Sequence, residues 1–246
     1  KVFLTDLNNT QGIFDLHVID GSLEFDHIID PTFQGNTGGL IVYGEGTVTI
    51  PRFRNWTGSD FAEEKNASDL GAGSVINYVI VKSSTQRNQT AIGILDDDGD
   101  ILLSVRNDTN GTFSSWLDVA SIGTTNDAFR GFDIDVESNR GDFIAVYEND
   151  TVANRNVYYR TWNGTDWSAQ GTITLPSAVA AEAQLYVVLE RKNNSNEIMM
   201  ASAGGSDDIS AVRWDGDAWV NSTTLTLTAA ALDEERFSIA WESLSG

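Results

Sequence analysis

Apolar residues along this chain come in short runs, most of them alternating with polar positions, and clusters of Gly, Asn, Asp and Ser separate the runs. Phe132-Asp133-Ile134-Asp135-Val136, Leu185-Tyr186-Val187-Val188-Leu189 and Phe237-Ser238-Ile239-Ala240-Trp241 show the pattern. A period of two predicts β-strands with one face buried. The middle of the chain predicts strands over 131–138, 142–149, 156–162 and 166–174. The stretch before it predicts 76–83, 90–95, 101–106 and 113–120, and the stretch after it 184–191, 197–203, 208–214 and 218–227. Asn-Gly and Asp-Gly pairs at the hairpin tips supply the positive φ angles that tight turns demand. Helical periodicity is weak; only Ala178–Ala183 and Ala229–Glu235 suit a turn or two of helix.

The strands belong to a repeat. Arg54-Asn55-Trp56-Thr57-Gly58-Ser59-Asp60-Phe61 recurs as Arg160-Thr161-Trp162-Asn163-Gly164-Thr165-Asp166-Trp167 and as Arg213-Trp214-Asp215-Gly216-Asp217-Ala218-Trp219. A looser copy is Arg106-Asn107-Asp108-Thr109-Asn110-Gly111-Thr112-Phe113, so the glycines at 58, 111, 164 and 216 lie 53, 53 and 52 residues apart. Glu137, Glu190 and Glu242 keep the same period. A four-stranded antiparallel unit repeated in tandem at this length is the signature of a β-propeller blade.

The Trp-x-Gly-x-x-Trp hairpin resembles blade motifs of extracellular propellers, and it is similar to the aspartate box of sialidase-like propellers, Ser-x-Asp-x-Gly-x-x-Trp. In Asn107–Phe113 the Asp and Gly stand in shifted positions, so the resemblance implies the fold and not an activity. The fold class expected is therefore all-β, a single propeller over 1–246, with blades near 38–71, 74–123, 128–176 and 182–228. Segments 1–30 and 236–246 are expected to complete a closing blade, because an unpaired edge leaves open backbone donors and acceptors. No well-formed first strand precedes residue 38. Either Phe237–Ser243 joins the blade that starts at Leu40, giving four blades, or it joins Val2–Leu7 and Gly12–Asp20, giving five, the preferred count.

Charge narrows the function. With 36 acidic against 15 basic residues the net charge is -21, which disfavours nucleic acid, and anionic lipid, as partners. There is no cysteine, hence no disulfide, zinc–thiolate site or thiol nucleophile, and His17 and His27 are the only histidines. No apolar run reaches the length of a membrane-spanning helix. Lys1 in place of Met is expected of a processed mature segment.

Asn-x-Ser/Thr occurs at Asn8, Asn55, Asn66, Asn88, Asn107, Asn110, Asn149, Asn163, Asn193 and Asn221, where composition alone gives about three. These positions are the expected N-glycan acceptors of a chain that lives outside the cell or on its surface. With the acidic surface, they resemble a surface protein of an archaeon or salt-adapted microbe. No cofactor is required by this chemistry. Calcium is the one candidate ion, with Asp96, Asp98 and Asp100 of Asp96-Asp97-Asp98-Gly99-Asp100 as ligands, against the alternative of a solvated hairpin turn. Asp207-Asp208 is a weaker candidate.

The repeated glutamates read as structural blade positions, since a catalytic residue breaks a repeat. The arginines at 54, 106, 160 and 213 are expected to pack on the Trp rings or bond the next blade. Trp56, Trp162, Trp167, Trp214 and Trp219 are expected in the core rather than stacking on sugars. The resulting expectation is a non-catalytic, heavily glycosylated extracellular propeller for surface architecture, adhesion or filament and coat assembly, whose partner is itself or surface glycans. The alternative is a lectin or glycoside hydrolase with a site at the channel mouth.

Overall fold

The computed structural model describes residues 29–34, 38–44, 49–71, 75–122, 129–149, 155–206, 208–227, 235 and 237–242. Among these residues sixteen strands form four antiparallel sheets, each made of four strands consecutive in sequence. Sheet I holds β1 (Ile29–Gln34), β2 (Gly38–Tyr43), β3 (Arg52–Trp56) and β4 (Lys65–Asn66). Sheet II holds β5 (Ile76–Ser84), β6 (Gln89–Asp96), β7 (Asp100–Asn107) and β8 (Leu117–Ser121). Sheet III holds β9 (Phe132–Val136), β10 (Phe143–Tyr147), β11 (Asn156–Trp162) and β12 (Gly171–Thr174). Sheet IV holds β13 (Gln184–Arg191), β14 (Ile198–Gly204), β15 (Ile209–Trp214) and β16 (Trp219–Thr226). The first strands β1, β5, β9 and β13 neighbour one another in succession, so the sheets fan out from a common inner row.

The core lies between sheets. Leu40, Val42 and Phe53 of sheet I pack on Ile76, Val79, Ile92 and Ile94 of sheet II. Leu95, Leu103 and Val105 meet Phe132, Ile134 and Phe143 across II and III. Ile144, Val146 and Val157 meet Val187, Met200 and Trp214 across III and IV. A middle strand is therefore covered on both faces, which is why Phe143-Ile144-Ala145-Val146-Tyr147 is apolar without alternation. The outer strand β12, Gly171-Thr172-Ile173-Thr174, alternates because one face meets water.

The structure departs from the sequence reading in four places. Strand β1 pairs with β2 from Ile29↔Tyr43 to Gln34↔Gly38, so sheet I has its own first strand, and the inner edge of β2 offered to Phe237–Ser243 in a four-blade closure is already filled. Segment 237–242 forms no ladder among the described residues, although Phe237, Ile239 and Trp241 stay half-buried while Ser238, Ala240 and Glu242 are exposed. Phe237 packs with Tyr186 and Phe129, and Trp241 donates its indole N–H to the Glu190 carbonyl at 2.8 Å. The segment thus lies along sheet IV; Val2–Leu7 and Gly12–Asp20, named as its partners, lie outside the described residues. The helix expected over 178–183 is a turn, with the Val179 N–H bonded to the Pro176 carbonyl at 3.0 Å, and 229–234 lies outside the described residues. Finally, the outer strands of sheets II and III start later than expected. Phe113 and Trp167 make isolated bridges, after which the hydroxyls of Ser114 and Ser168 each accept a β7 or β11 backbone N–H at 3.0 Å in place of a ladder carbonyl.

The repeated glycines serve the hairpins. Gly58, Gly111, Gly164 and Gly216 have φ of 98, 74, 107 and 106°, a region costly for any residue with a Cβ. A further tight position is Gly141 in the turn between β9 and β10. Its φ is 75°, and a Cβ there would clash with Ser84 Oγ and lie 2.8 Å from Gln86 Cβ in the preceding sheet. Gly141→Ala is expected to destabilise the protein by about 2 kcal/mol, read as a lower midpoint in urea denaturation. A midpoint equal to the parent's would contradict this packing.

Candidate functional site

Buried carboxylates gather at the seam between sheets III and IV. Among the described residues β9 forms a ladder only with β10, and β13 only with β14; apart from the Val187 N–H bonded to the Arg130 carbonyl at 3.2 Å, their facing edges make no ladder. Two aspartates close both edges. Asp133 accepts the Ile134 N–H at 2.8 Å and the Leu189 N–H at 2.7 Å on its two oxygens. Asp135 accepts the Val136 N–H at 2.8 Å and the Arg191 N–H at 2.7 Å. Each carboxylate therefore ties an N–H of its own strand to one of the facing strand. Glu148 extends the arrangement, accepting the N–H groups of Asn149 at 3.2 Å and Gln184 at 2.8 Å.

Burial sets the ionisation of this row. It pushes Asp135 up to about 6, against the pull of Lys82 on β5, the Val136 N–H and Arg191. Burial also raises Glu137, partly offset by the Trp214 indole, whose N–H reaches Glu137 Oε1 at 2.7 Å, and by Arg140, 3.7 Å from Oε2. Trp162 makes the matching contact one sheet earlier, donating to Gln89 Oε1 at 3.0 Å. These indoles latch each sheet to its predecessor.

At the start of the inner strands the seam carries a narrow crease, too tight at rest for a group the size of water, which is the cleft of this site and is lined by Ile122, Phe129, Gly131, Glu148, Gln184 and Leu185. Gln184 is 1% exposed, yet its Oε1 has no hydrogen-bond donor. Gln184 lines the cleft together with Phe129 and Glu148, and an unsatisfied buried amide oxygen is where a ligand hydroxyl has a donor's part to play.

The residues singled out from sequence fall elsewhere. Asp96 is buried in the turn between β6 and β7, and its Oδ1 accepts the N–H groups of Asp98 at 3.1 Å and Asp100 at 2.8 Å. Asp98 is exposed, and no three acidic or histidine side chains among the described residues converge as a metal site. Asp208 caps Ala180 N–H at 2.5 Å, and Asp207 lies outside the described residues. Of the acceptor asparagines, Asn66, Asn88, Asn110, Asn163, Asn193 and Asn221 are exposed, Asn55, Asn107 and Asn149 are half-buried, and Asn8 lies outside the described residues.

The arginines do not pack on the Trp rings. Arg54 bonds Tyr43 at 3.3 Å, Arg160 the Ser168 carbonyl at 2.6 Å, and Arg213 pairs with Glu197, all within their own sheets. Arg106 pairs with Asp108 at 2.7 Å and sits over the Phe53 ring of sheet I at 5.6 Å. The tryptophans pair edge-on or tilted with the next aromatic of their own hairpin, as Trp162 does with Trp167 at 5.5 Å, and Trp162 and Trp214 are core residues, each 6% exposed. The glutamate series shares no one environment: Glu137 is buried, Glu190 half-buried and Glu242 exposed.

Asp133, Asp135, Glu148 and Gln184 were not singled out from sequence. A signal for the aspartates existed, because they break the repeat: one period earlier stand Ile80 and Lys82, one period later Tyr186 and Val188.

No family model matches the chain, and no curated protein matches it. Solved structures do. An exo-β-1,3-galactanase from Phanerochaete chrysosporium, in complex with β-1,3-galactotriose, aligns with a TM-score of 0.51 at 10% identity, over 83% of this chain and 51% of that one. An intramolecular trans-sialidase from Ruminococcus gnavus aligns with a TM-score of 0.50 at 10% identity, over 70% and 38%. The Aleuria aurantia lectin aligns at 0.48 with 12% identity, over 78% and 59%. The fold is a β-propeller. The chain spans about half the length of the galactanase it matches. In propeller terms sheets I–IV are blades, and the seam is the contact between blades III and IV. Its cleft opens on the face where inner strands begin, and the glycine hairpins lie on the opposite face.

Proposed function

We propose that this chain is a carbohydrate-binding propeller that receives a glycan hydroxyl at the cleft between blades III and IV and does no chemistry on it. The observation that carries the reading is the buried Gln184 Oε1 without a donor, on a residue that lines the cleft with Phe129 and Glu148. A sugar hydroxyl supplies a donor, and its C–H face suits an aromatic neighbour. The cleft is closed at rest to a group the size of water, so on this reading the glycan lies across its rim and the half-buried Phe129 and Leu185 part as its hydroxyl enters. A propeller of similar shape holding β-1,3-galactotriose supports the class of ligand. The absence of chemistry is argued from Asp133, Asp135 and Glu148, whose oxygens are engaged by backbone N–H groups and enclosed. A surface or adhesive setting outside the cell fits the acidic charge and the many acceptor asparagines.

A glycan array followed by calorimetry on the hits tests this. Gln184→Leu is expected to weaken binding at least about tenfold while leaving stability unchanged or raised, since it removes a buried unsatisfied group. A blank array, or undiminished binding by Gln184→Leu, sinks the reading. A second reading, a glycoside hydrolase, rests on Asp135, whose ionisation near 6 suits a general acid. Turnover of any glycoside that Asp135→Asn abolishes would establish it instead.

A further inference from the structure

Blades II and III hold an asparagine at each glycine hairpin in an arrangement the turn does not require. Asn163 Oδ1 accepts the Thr165 N–H at 3.0 Å, the Asp166 N–H at 3.1 Å and the Thr165 hydroxyl at 2.9 Å. Asn110 Oδ1 accepts the Thr112 N–H at 3.0 Å and the Thr112 hydroxyl at 2.7 Å. These bonds fix the amide plane, and both residues are exposed, so Nδ2, which makes no hydrogen bond, is left accessible.

Blades I and IV show what the turn itself needs. Asp215 replaces the asparagine in blade IV and accepts the N–H groups of Asp217 at 3.0 Å and Ala218 at 2.9 Å. In blade I the Thr57 hydroxyl accepts the Asp60 N–H at 3.2 Å. An acceptor oxygen is sufficient. The amide nitrogen at 110 and 163 is surplus to folding.

The other acceptors differ. Asn88 Nδ2 donates to Thr109 Oγ1 at 2.7 Å, which engages both its own nitrogen and the hydroxyl of the Asn107 triplet. Asn66 Oδ1 is held by Arg52, and Asn55, Asn107 and Asn149 are half-buried. Asn193 and Asn221 are exposed, but neither amide oxygen is held by the hydroxyl two residues on.

We propose that Asn110 and Asn163 are the N-glycan acceptors of the folded protein, modified by a glycosyl donor whose leaving group is a lipid pyrophosphate. Nδ2 forms the bond to the anomeric carbon, the carbon–oxygen bond to pyrophosphate breaks with its electron pair leaving on pyrophosphate, and the amide proton passes to a base of the transferase. Both acceptors lie on the face opposite the cleft, so the proposal stands whether or not the cleft holds a glycan.

The test incubates the folded protein with a purified oligosaccharyltransferase and a lipid-pyrophosphate-linked oligosaccharide, followed by peptide mass spectrometry. Transfer is expected at Asn110 and Asn163 ahead of every other acceptor among the described residues, with Asn88 and Asn107 modified only after denaturation. Asn110→Asp and Asn163→Asp keep the turn oxygen, as Asp215 does, and are each expected to halve the transferred label with an unchanged melting temperature. No transfer to Asn110 and Asn163 of the folded chain, or earlier transfer to any other acceptor among the described residues, overturns the proposal.

Discussion

Trp214→Ala is expected to lower the unfolding free energy by about 5 kcal/mol, more than any other single change considered. Two losses add. The ring is 6% exposed, packed between Tyr159 at 6.0 Å and Trp219 at 5.5 Å, and truncating a buried Trp costs about 3–5 kcal/mol. The indole N–H is also the one hydrogen-bond donor to Glu137, whose Oε2 already lacks one, so its loss leaves a buried carboxylate without any hydrogen bond. Trp214→Phe separates the two, keeping most of the ring at a cost of about 2 kcal/mol. Adding Glu137→Met to Trp214→Phe removes the stranded acceptor and is expected to recover part of that cost, while Arg140 keeps Asp217 at 2.9 Å. Urea denaturation of the four proteins gives the cycle. Strict additivity would show that indole and carboxylate are not coupled.

That tryptophan was legible in the sequence, and the reason is general to this fold. Repetition doubles as a structural signal: what recurs every 53 residues, the glycines of the hairpins and the aromatics beside them, must satisfy the same geometry in every blade. The inner and middle strands of blades II to IV follow from it to within about two residues at each end. Ile29–Gln34 was missed because its Asp-Pro-Thr sequence lacks the apolar alternation of the other inner strands, and only pairing with β2 makes it one. Ser114 and Ser168 delay the outer strands through side-chain acceptors that a hydrophobic pattern does not register. The seam was hidden for the opposite reason. Phe132-Asp133-Ile134-Asp135-Val136 has the alternation of a strand with one wet face, yet every residue in it is buried. The aspartates answer to the edge of β13, which lies more than fifty residues further along the chain. Alternation shows that two faces differ. It does not show that the polar face meets another strand's backbone instead of water.

The protein is expected to lose up to about 3 kcal/mol of stability as pH rises from about 4 to about 6, through Asp135 alone. In the unfolded chain this carboxyl ionises near 3.8; in the fold burial raises it to about 6. Between those values the unfolded state releases the proton while the folded state retains it, so rising pH favours unfolding, and above about 6 the loss is complete. The charged groups acting on it are Lys82 from β5 and Arg191 from β13, which favour ionisation, and Asp133 on its own strand, which opposes it. Asp135→Asn stays neutral at every pH, but its Nδ2 cannot accept the backbone N–H that a carboxyl oxygen accepts from Val136 or Arg191, so it is expected to lie about 1–3 kcal/mol below the parent near pH 4. Relative to the parent it is expected to gain up to about 3 kcal/mol between pH 4 and pH 7. Urea denaturation of both proteins at intervals between these limits measures the difference directly. Parallel curves would mean that Asp135 ionises alike in both states and that the seam carries no strained charge; a difference that moves toward the variant through pH 5 identifies the carboxylate that joins blades III and IV as the one folding holds protonated.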